Sequence, residues 1–388
     1  MRRTTSAVLV SSVALATDML VYGLIVPILP TLAAQHGASP ATVGALFAAY
    51  AAALIIATPF VGLWVDRAGS RRPMLVGMIG LAAATLLFAT SPWFELLLVA
   101  RALQGVSAAV SWTAGLALIA ATHPPNRRGS AMGIALASVS IGVLLGPPLG
   151  GFLFEHWGLR APFFLAAGLA AFDAVLRAVL VRDLPASGQG SATNSLLGRP
   201  GVAPTLGLTA VGAMLIAFLE PVLPLHMAGH HGATPTWIGV WFGVAALANI
   251  LVYPLAGRAA DRRGRMAVVA TGAAIAAAAL SAIGFVPTLW AVGLCLSLAT
   301  IAAGLVLAPT TALIGELAES QDPPVYGAAY SLYNLAYASG LAAGPLLAGA
   351  GTTLLGFPTS AALFGLAMSL VALTAVLVAR RRGPRPSR

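Results

Sequence analysis

The sequence predicts an all-α membrane protein, with twelve transmembrane helices in two six-helix, pseudo-symmetric halves. Three observations carry this expectation. The 388 residues are 59% hydrophobic and only 8% charged, with a mean hydropathy of +0.91, whereas a soluble domain carries about 25% charged residues. Several apolar runs exceed the roughly 18–20 residues that cross a bilayer as a helix. The second half also repeats the first. HGASPATVGALF from His36 returns as HGATPTWIGVWF from His231, and Gly62…Asp66-Arg67…Gly69 returns at the same spacing as Gly257…Asp261-Arg262…Gly264. Six being even, the two copies share one orientation in the membrane.

Taken in order, the spans are set off by short arginine clusters. The first, about 5–33, follows Arg2 and Arg3. It begins like a signal peptide but continues to about Ala34, too long for an h-region of about 7–15 residues, so it reads as a mature helix. A span at 41–65 ends at Arg67, Arg71 and Arg72. Spans at 73–90 and 94–121 lead to Arg127 and Arg128. Spans at 129–154 and 161–181 flank Arg160 and end at Arg182. A Gly-, Ser- and Pro-rich stretch follows and predicts a flexible linker over 182–204 between halves at 1–181 and 205–388. In the second half, 203–227 and 236–259 lead to Arg258, Arg262, Arg263 and Arg265. Spans at 266–286, 289–316, 326–350 and 358–379 precede a basic tail from Arg380 to Arg388. With the N-terminus inside, the external loops hold only Arg160. The positive-inside rule then places both termini in the cytoplasm of a multi-pass protein of the inner (plasma) membrane.

Composition also excludes classes. The net charge of +10 comes from 21 basic residues, all arginine. Their placement between apolar runs makes them topology determinants rather than a nucleic-acid surface. The single cysteine, Cys295, rules out an intrachain disulfide and reads as a small packing residue. The chain carries no His-Glu-x-x-His motif or other catalytic constellation, so an enzyme is disfavoured and no cofactor or metal is expected. His226, His230 and His231 read as polar loop residues, with His226 close enough to Glu220 to line an outer vestibule.

Charges inside apolar runs mark the candidate site. Asp18 interrupts LATDMLVYGLIVPILP, and Glu220 stands in the similar Glu220-Pro221-Val222-Leu223-Pro224 at the start of the second half. A carboxylate in hydrocarbon is expensive and faces a bundle interior or a wet cavity. Two related helices with one acid each predict a transport site between two halves. Arg101 lies about two turns into its span; its alternatives are a functional cation and an arginine snorkelling to the interface marked by Glu95. Asp173 and Arg177 have the spacing of a structural helix ion pair. Glu316, Glu319 and Asp322 form an acidic patch that either pairs with basic loops or is solvated.

The loop Gly62-Leu-Trp-Val-Asp66-Arg67-Ala-Gly69-Ser-Arg71-Arg72 resembles the hallmark loop of the major facilitator superfamily, with Trp64 and Ser70 as departures. The resemblance implies the major facilitator fold and a latch for one access state, built from Gly62, Asp66, Arg67 and Gly69 and repeated by Gly257, Asp261 and Arg262. Gly62 is expected to permit close helix approach, Gly69 a tight turn, and Asp66 to pair with an arginine and a helix N-terminus. Arg101-Ala-Leu-Gln104-Gly105 resembles the fourth-helix motif, whose arginine helps couple proton movement. Gly142, Gly146, Pro147 and Gly150 resemble the fifth-helix motif of drug–proton antiporters; read without the family, they make a packing kink.

Joined together, Asp18…Val26-Pro27-Ile28-Leu29-Pro30, Arg101…Gly105, Met132-Gly133-Ile134-Ala135-Leu136, Gly146-Pro147-Pro148, Leu219…Pro224, Val325-Tyr326-Gly327 and Gly344-Pro345 resemble the vesicular amine transporter branch. That likeness implies substrate and proton binding at Asp18 and Glu220. It also implies that Leu307 and Asn334 replace two family acids and that Tyr50 replaces a lysine, so that Tyr50 and Asn334 are expected as a neutral pair. Tyr22, Phe47, Tyr50, Trp112, Trp241, Tyr330, Tyr333 and Tyr337 are candidates to stack on an amine. The expected function is export of cationic or amphipathic amines or drugs in exchange for protons by alternating access. The expected partners are small molecules, protons and the lipid bilayer. Alternatives are proton-coupled export or import of neutral molecules, or a membrane sensor without flux.

Overall fold

The computed structural model describes residues 2–122, 125–180, 198–199, 201–320 and 326–382. Most of the linker predicted over 182–204 lies outside them, as do Asp322, Val325 and the tail beyond 382. The side chains of Asp66, Arg127 and Arg128 are likewise outside the description.

Among the described residues every regular element is helical, and twelve spans are long and apolar enough to cross a membrane. Span 1 is made of α1 (Arg2–Leu24), a 3₁₀ turn (Val26–Ile28) and α2 (Leu29–His36). Then come α3 (Pro40–Ala68), α4 (Arg71–Thr90), α5 (Phe94–Thr122), α6 (Pro125–Trp157) and α7 (Ala161–Leu180). Span 7 is made of α8 (Val202–Ala217) and α9 (Leu219–His231). It is followed by α10 (Pro235–Arg263), α11 (Arg265–Ala282), α12 (Leu289–Glu319), α13 (Tyr326–Leu355) and α14 (Phe357–Arg382). Many large apolar side chains, among them Phe60, Phe172, Val179 and Leu354, lie on the outside. That is the surface a lipid solvent requires and water does not tolerate over large contiguous areas.

The sequence repeat is a structural repeat. Ser39 caps α3, its Oγ accepting the Thr42 N–H at 3.2 Å with Pro40 at the first helical position. Thr234 and Pro235 stand in the same order at the start of α10, a helix-start pattern that fixes where a span begins. Gly69 and Gly264, which follow α3 and α10, both have positive φ (72° and 85°) and turn the chain into the next helix. The first span of each half is broken next to its proline pair: span 1 at Ile25, before Pro27 and Pro30, and span 7 at Phe218, before Pro221 and Pro224.

The chain divides into two compact units, Met1–Gln189 with Ala228–Gly243, and Gly190–Met227 with Val244–Arg388. In the first, α1 packs along α6 through Gly142, Gly146 and Gly150. A Cβ at Gly142 would meet Leu20 N at 2.8 Å and Met19 Cβ at 2.9 Å, and one at Gly146 the Leu20 carbonyl oxygen at 2.9 Å. Small residues four apart let the two backbones touch. The Pro147-Pro148 segment of α6 packs against the start of α10 near Gly239 and Gly243, where the Glu155 Oε2 accepts the Thr236 N–H at 3.0 Å. Val10, Val65, Met74, Val110 and Leu118 form one apolar core, and Val21, Leu24, Met78, Leu81 and Ala170 another. In the second unit α13 packs on α8 in the same manner at Gly340 and Gly344. Leu208, Val269, Val306 and Val376 form its core.

Candidate functional site

Asp18 sits on α1, two turns before the break in span 1, and is 1% exposed. Its Oδ2 accepts two hydrogen bonds of 2.9 Å, from the Tyr50 hydroxyl on α3 and the Trp112 indole N–H on α5. Its Oδ1 is also buried and makes no hydrogen bond among the described residues. A buried carboxylate with one oxygen hydrogen-bonded and the other without a hydrogen-bond partner can take up a proton or pair with a cation.

Arg101 on α5 is equally buried, at 1% exposed, which removes the snorkelling alternative. Its guanidinium carbon lies 5.0, 5.1 and 5.2 Å from the ring centroids of Tyr22, Phe47 and Tyr50. Its Nη1 donates to Gln104 Oε1 at 3.1 Å, and Gln104 Nε2 donates to Thr85 Oγ1 at 3.1 Å. The Arg101 charge acts on Asp18 through space. Gly105 explains why α3 and α5 come this close, since a Cβ there would collide with the Tyr50 backbone, its Cα at 3.0 Å. The glycine of Arg101-x-x-Gln104-Gly105 therefore seats Tyr50 where its ring faces Arg101 and its hydroxyl reaches Asp18.

This adds partners that the sequence did not show. The Tyr50 hydroxyl donates to Asp18 within its own unit. Tyr22, Phe47 and Tyr50 surround a cation of the protein itself, Arg101. Sequence reasoning gave Thr85 no role, left Gln104 as a motif letter and took Trp112 only as a stacking ring. The available signal was that Thr85 and Gln104 are polar residues inside apolar spans.

In the second unit Glu220 follows the break at Phe218, in the first turn of α9. It acts electrostatically on Tyr337 of α13, and the Tyr253, Tyr333 and Tyr337 hydroxyls lie within electrostatic reach of one another. Thr311 Oγ1 donates to the Tyr333 hydroxyl at 2.8 Å. Asn334 is exposed and lies on the same face of α13 as Tyr330 and Tyr337. Leu307, where the family resemblance implies an acid, is fully buried under Gly212, whose added Cβ would meet it at 2.7 Å. His226 is buried with its ring 4.5 Å from that of Phe357, so it packs in the bundle rather than lining a vestibule.

The remaining predicted residues fall as follows. Asp173 and Arg177 form a fully buried ion pair, with Nε and Nη2 donating to Asp173 Oδ2 at 2.9 and 2.7 Å. Arg265 pairs with Glu316 through its two terminal guanidinium nitrogens, Nη1 and Nη2. In the two repeated segments Arg67, Asp261 and Arg262 are exposed, and Arg71 Nη2 donates to the Ala178 carbonyl at 3.1 Å. The close-approach role expected of Gly62 is corrected. A Cβ at Gly62, or at its counterpart Gly257, would meet nothing within 4 Å among the described residues, because both face open space at helix ends.

Comparison with known proteins adds the family. The Major Facilitator Superfamily model matches residues 11–219 and 205–388. The synaptic vesicular amine transporter of Mus musculus is 31% identical over 328 residues, covering 84% of this chain and 63% of that protein. The vesicular acetylcholine transporter of Homo sapiens is 31% identical over 353 residues, covering 87% and 65%. The chain thus spans a little under two thirds of the length of these relatives. Among solved structures, a bacterial homolog of the human lysosomal transporter Spinster has a TM-score of 0.82 at 15% identity, with both chains fully covered, a likeness of fold. The chain belongs to the major facilitator superfamily and resembles the vesicular amine and acetylcholine transporters.

Proposed function

We propose that the protein is a secondary active transporter that exports amphipathic cationic amines or drugs in exchange for protons by alternating access. The observation that carries this reading is Asp18: a buried carboxylate whose Oδ2 is held by Tyr50 and Trp112 and whose Oδ1 has no hydrogen-bond partner among the described residues. Such a group binds a proton or an organic cation but not both at once, and that exclusion is the physical core of antiport. The two hydrogen bonds fix the carboxylate, and Arg101 supplies a neighbouring positive charge when neither ligand is bound. Glu220, at the break of span 7, gives the second half an acid in the corresponding segment. Broken helices with polar groups at the break are the recurrent construction of transporter sites. Fold alone does not give function; the similarity to amine and acetylcholine transporters supports the reading that Asp18 carries.

The substrate, the direction and the membrane are part of the same proposal. The glycine–proline motif of α6 favours export, and the arginine asymmetry favours both termini in the cytoplasm; the plasma membrane is part of the proposal. The halves 1–181 and 205–388, joined by the linker 182–204, are proposed as the moving parts, with the Gly62–Gly69 and Gly257–Arg262 segments as their latches.

The test is transport in proteoliposomes carrying an imposed pH gradient. Phenethylamine movement that speeds collapse of the gradient supports the reading. Native protein that moves phenethylamine without dissipating the gradient contradicts proton exchange, and an Asp18→Asn variant that transports normally contradicts the site.

A further inference from the structure

The three rings around Arg101 form a cage. Tyr22 and Phe47 meet edge to face with centroids 5.7 Å apart, and Tyr22 and Tyr50 are tilted with centroids 5.0 Å apart. All three are buried, and each lies about 5 Å from the guanidinium carbon. One wall, Tyr50, is also a hydrogen-bond donor to Asp18. Converging aromatic faces joined to a carboxylate are the chemistry that recognises an organic cation. Here the protein's own cation occupies it, on a flexible stem whose head is anchored to Gln104.

We propose that this cage is the substrate's cation site, that Arg101 is a tethered stand-in for the substrate, and that flat, delocalised cations bearing a guanidinium or amidinium group replace it best. The inference rests on the amine-transport reading and adds the occupant and its competitor. A guanidinium is planar and more weakly hydrated than an ammonium, so it stacks on rings at a lower desolvation cost. A cage that accepts the guanidinium of Arg101 therefore accepts one on a ligand. Substrate and Arg101 then compete, and the arginine lowers apparent affinity for every cation that uses the cage. This gives Arg101 a role opposite to that of a residue that binds substrate directly: its removal tightens binding.

The experiment is equilibrium binding to the purified full-length protein in detergent, with radiolabelled phenethylamine and phenethylguanidine as probes. Native protein binds phenethylguanidine more tightly than phenethylamine. Arg101→Ala tightens phenethylguanidine binding by about tenfold or more, the scale of a lost cation–π competitor. Arg101→Lys, which keeps a charge but not the flat shape, falls between, and Phe47→Leu weakens both probes. Equal or weaker binding of phenethylguanidine by native protein overturns the proposal without any variant, so a poorly folding alanine form does not shield it. Arg101→Ala binding at or below native affinity, while Asp18→Asn still loses phenethylamine, overturns the cage but leaves the amine reading standing. Asp18→Asn binding phenethylamine as native protein does overturns both.

Discussion

Gly142→Ala tests the packing that positions Asp18. A Cβ at Gly142 would lie 2.8 Å from Leu20 N and 2.9 Å from Met19 Cβ, with the Ala16 carbonyl closer still. Non-bonded carbon contacts settle at about 3.5–4.0 Å, so α1 and α6 must part by ~1 Å. Overpacking of this kind costs about 1–3 kcal/mol. The displaced segment, Ala16 to Leu20, is the one that carries Asp18. Its two hydrogen bonds are 2.9 Å long, and a ~1 Å displacement takes them beyond the ~3.2 Å at which such bonds remain good. Gly142→Ala is therefore expected to lower the melting temperature and to weaken phenethylamine binding together. The single buried Cys295 provides the stability assay, since a fluorogenic thiol reagent labels it only as the protein opens. Gly62→Ala is the control, because nothing lies within 4 Å of its added Cβ. If Gly142→Ala melts and binds like native protein, the account of the α1–α6 contact is wrong.

Further outcomes follow from individual contacts. Tyr50→Phe keeps the cage wall but removes a donor from Asp18; a hydrogen bond to a charged group is worth about 1.5–3 kcal/mol, so phenethylamine affinity should fall by ~10-fold or more in equilibrium binding. Breaking the buried pair with Arg177→Met should cost about 3–5 kcal/mol by leaving Asp173 without its counter-charge, seen as a lowered melting temperature in the Cys295 assay. Replacing both partners, Asp173→Leu with Arg177→Met, should recover most of that loss, and a double variant as unstable as the single one would contradict the ion-pair account. Glu220→Gln should reduce phenethylamine transport in proteoliposomes; unchanged transport would remove Glu220 from the site.

The spans were legible because each is an apolar run closed by arginines, and because the Ser-Pro and Thr-Pro starts and the turn glycines recur in both halves. Asp18, Arg101 and Glu220 stood out because charge in hydrocarbon is costly wherever the side chain points. Their partners were not legible. Tyr50 is 32 residues from Asp18 and Trp112 is 94 away, and only the approach of α3 and α5 at Gly105 brings them to it. Tyr50 was read against a lysine it replaces, which directed attention to Asn334 rather than to the carboxylate its hydroxyl reaches. The aromatic residues were recognised as cation binders, but no pattern in one sequence says which cation is already there. Gly62 was misread for a related reason: a motif letter does not reveal what faces it.

The central claim is that a proton and an amine exclude each other at Asp18. Its most direct measurement is proton release from the purified protein in weakly buffered solution, followed with a pH dye as phenethylamine is added, at a pH where the amine itself is fully charged. The account predicts that native protein acidifies the solution in a saturable way and that Asp18→Asn removes this release. Release of the same number of protons by Asp18→Asn, or amine binding by native protein with no release at any pH, would contradict it.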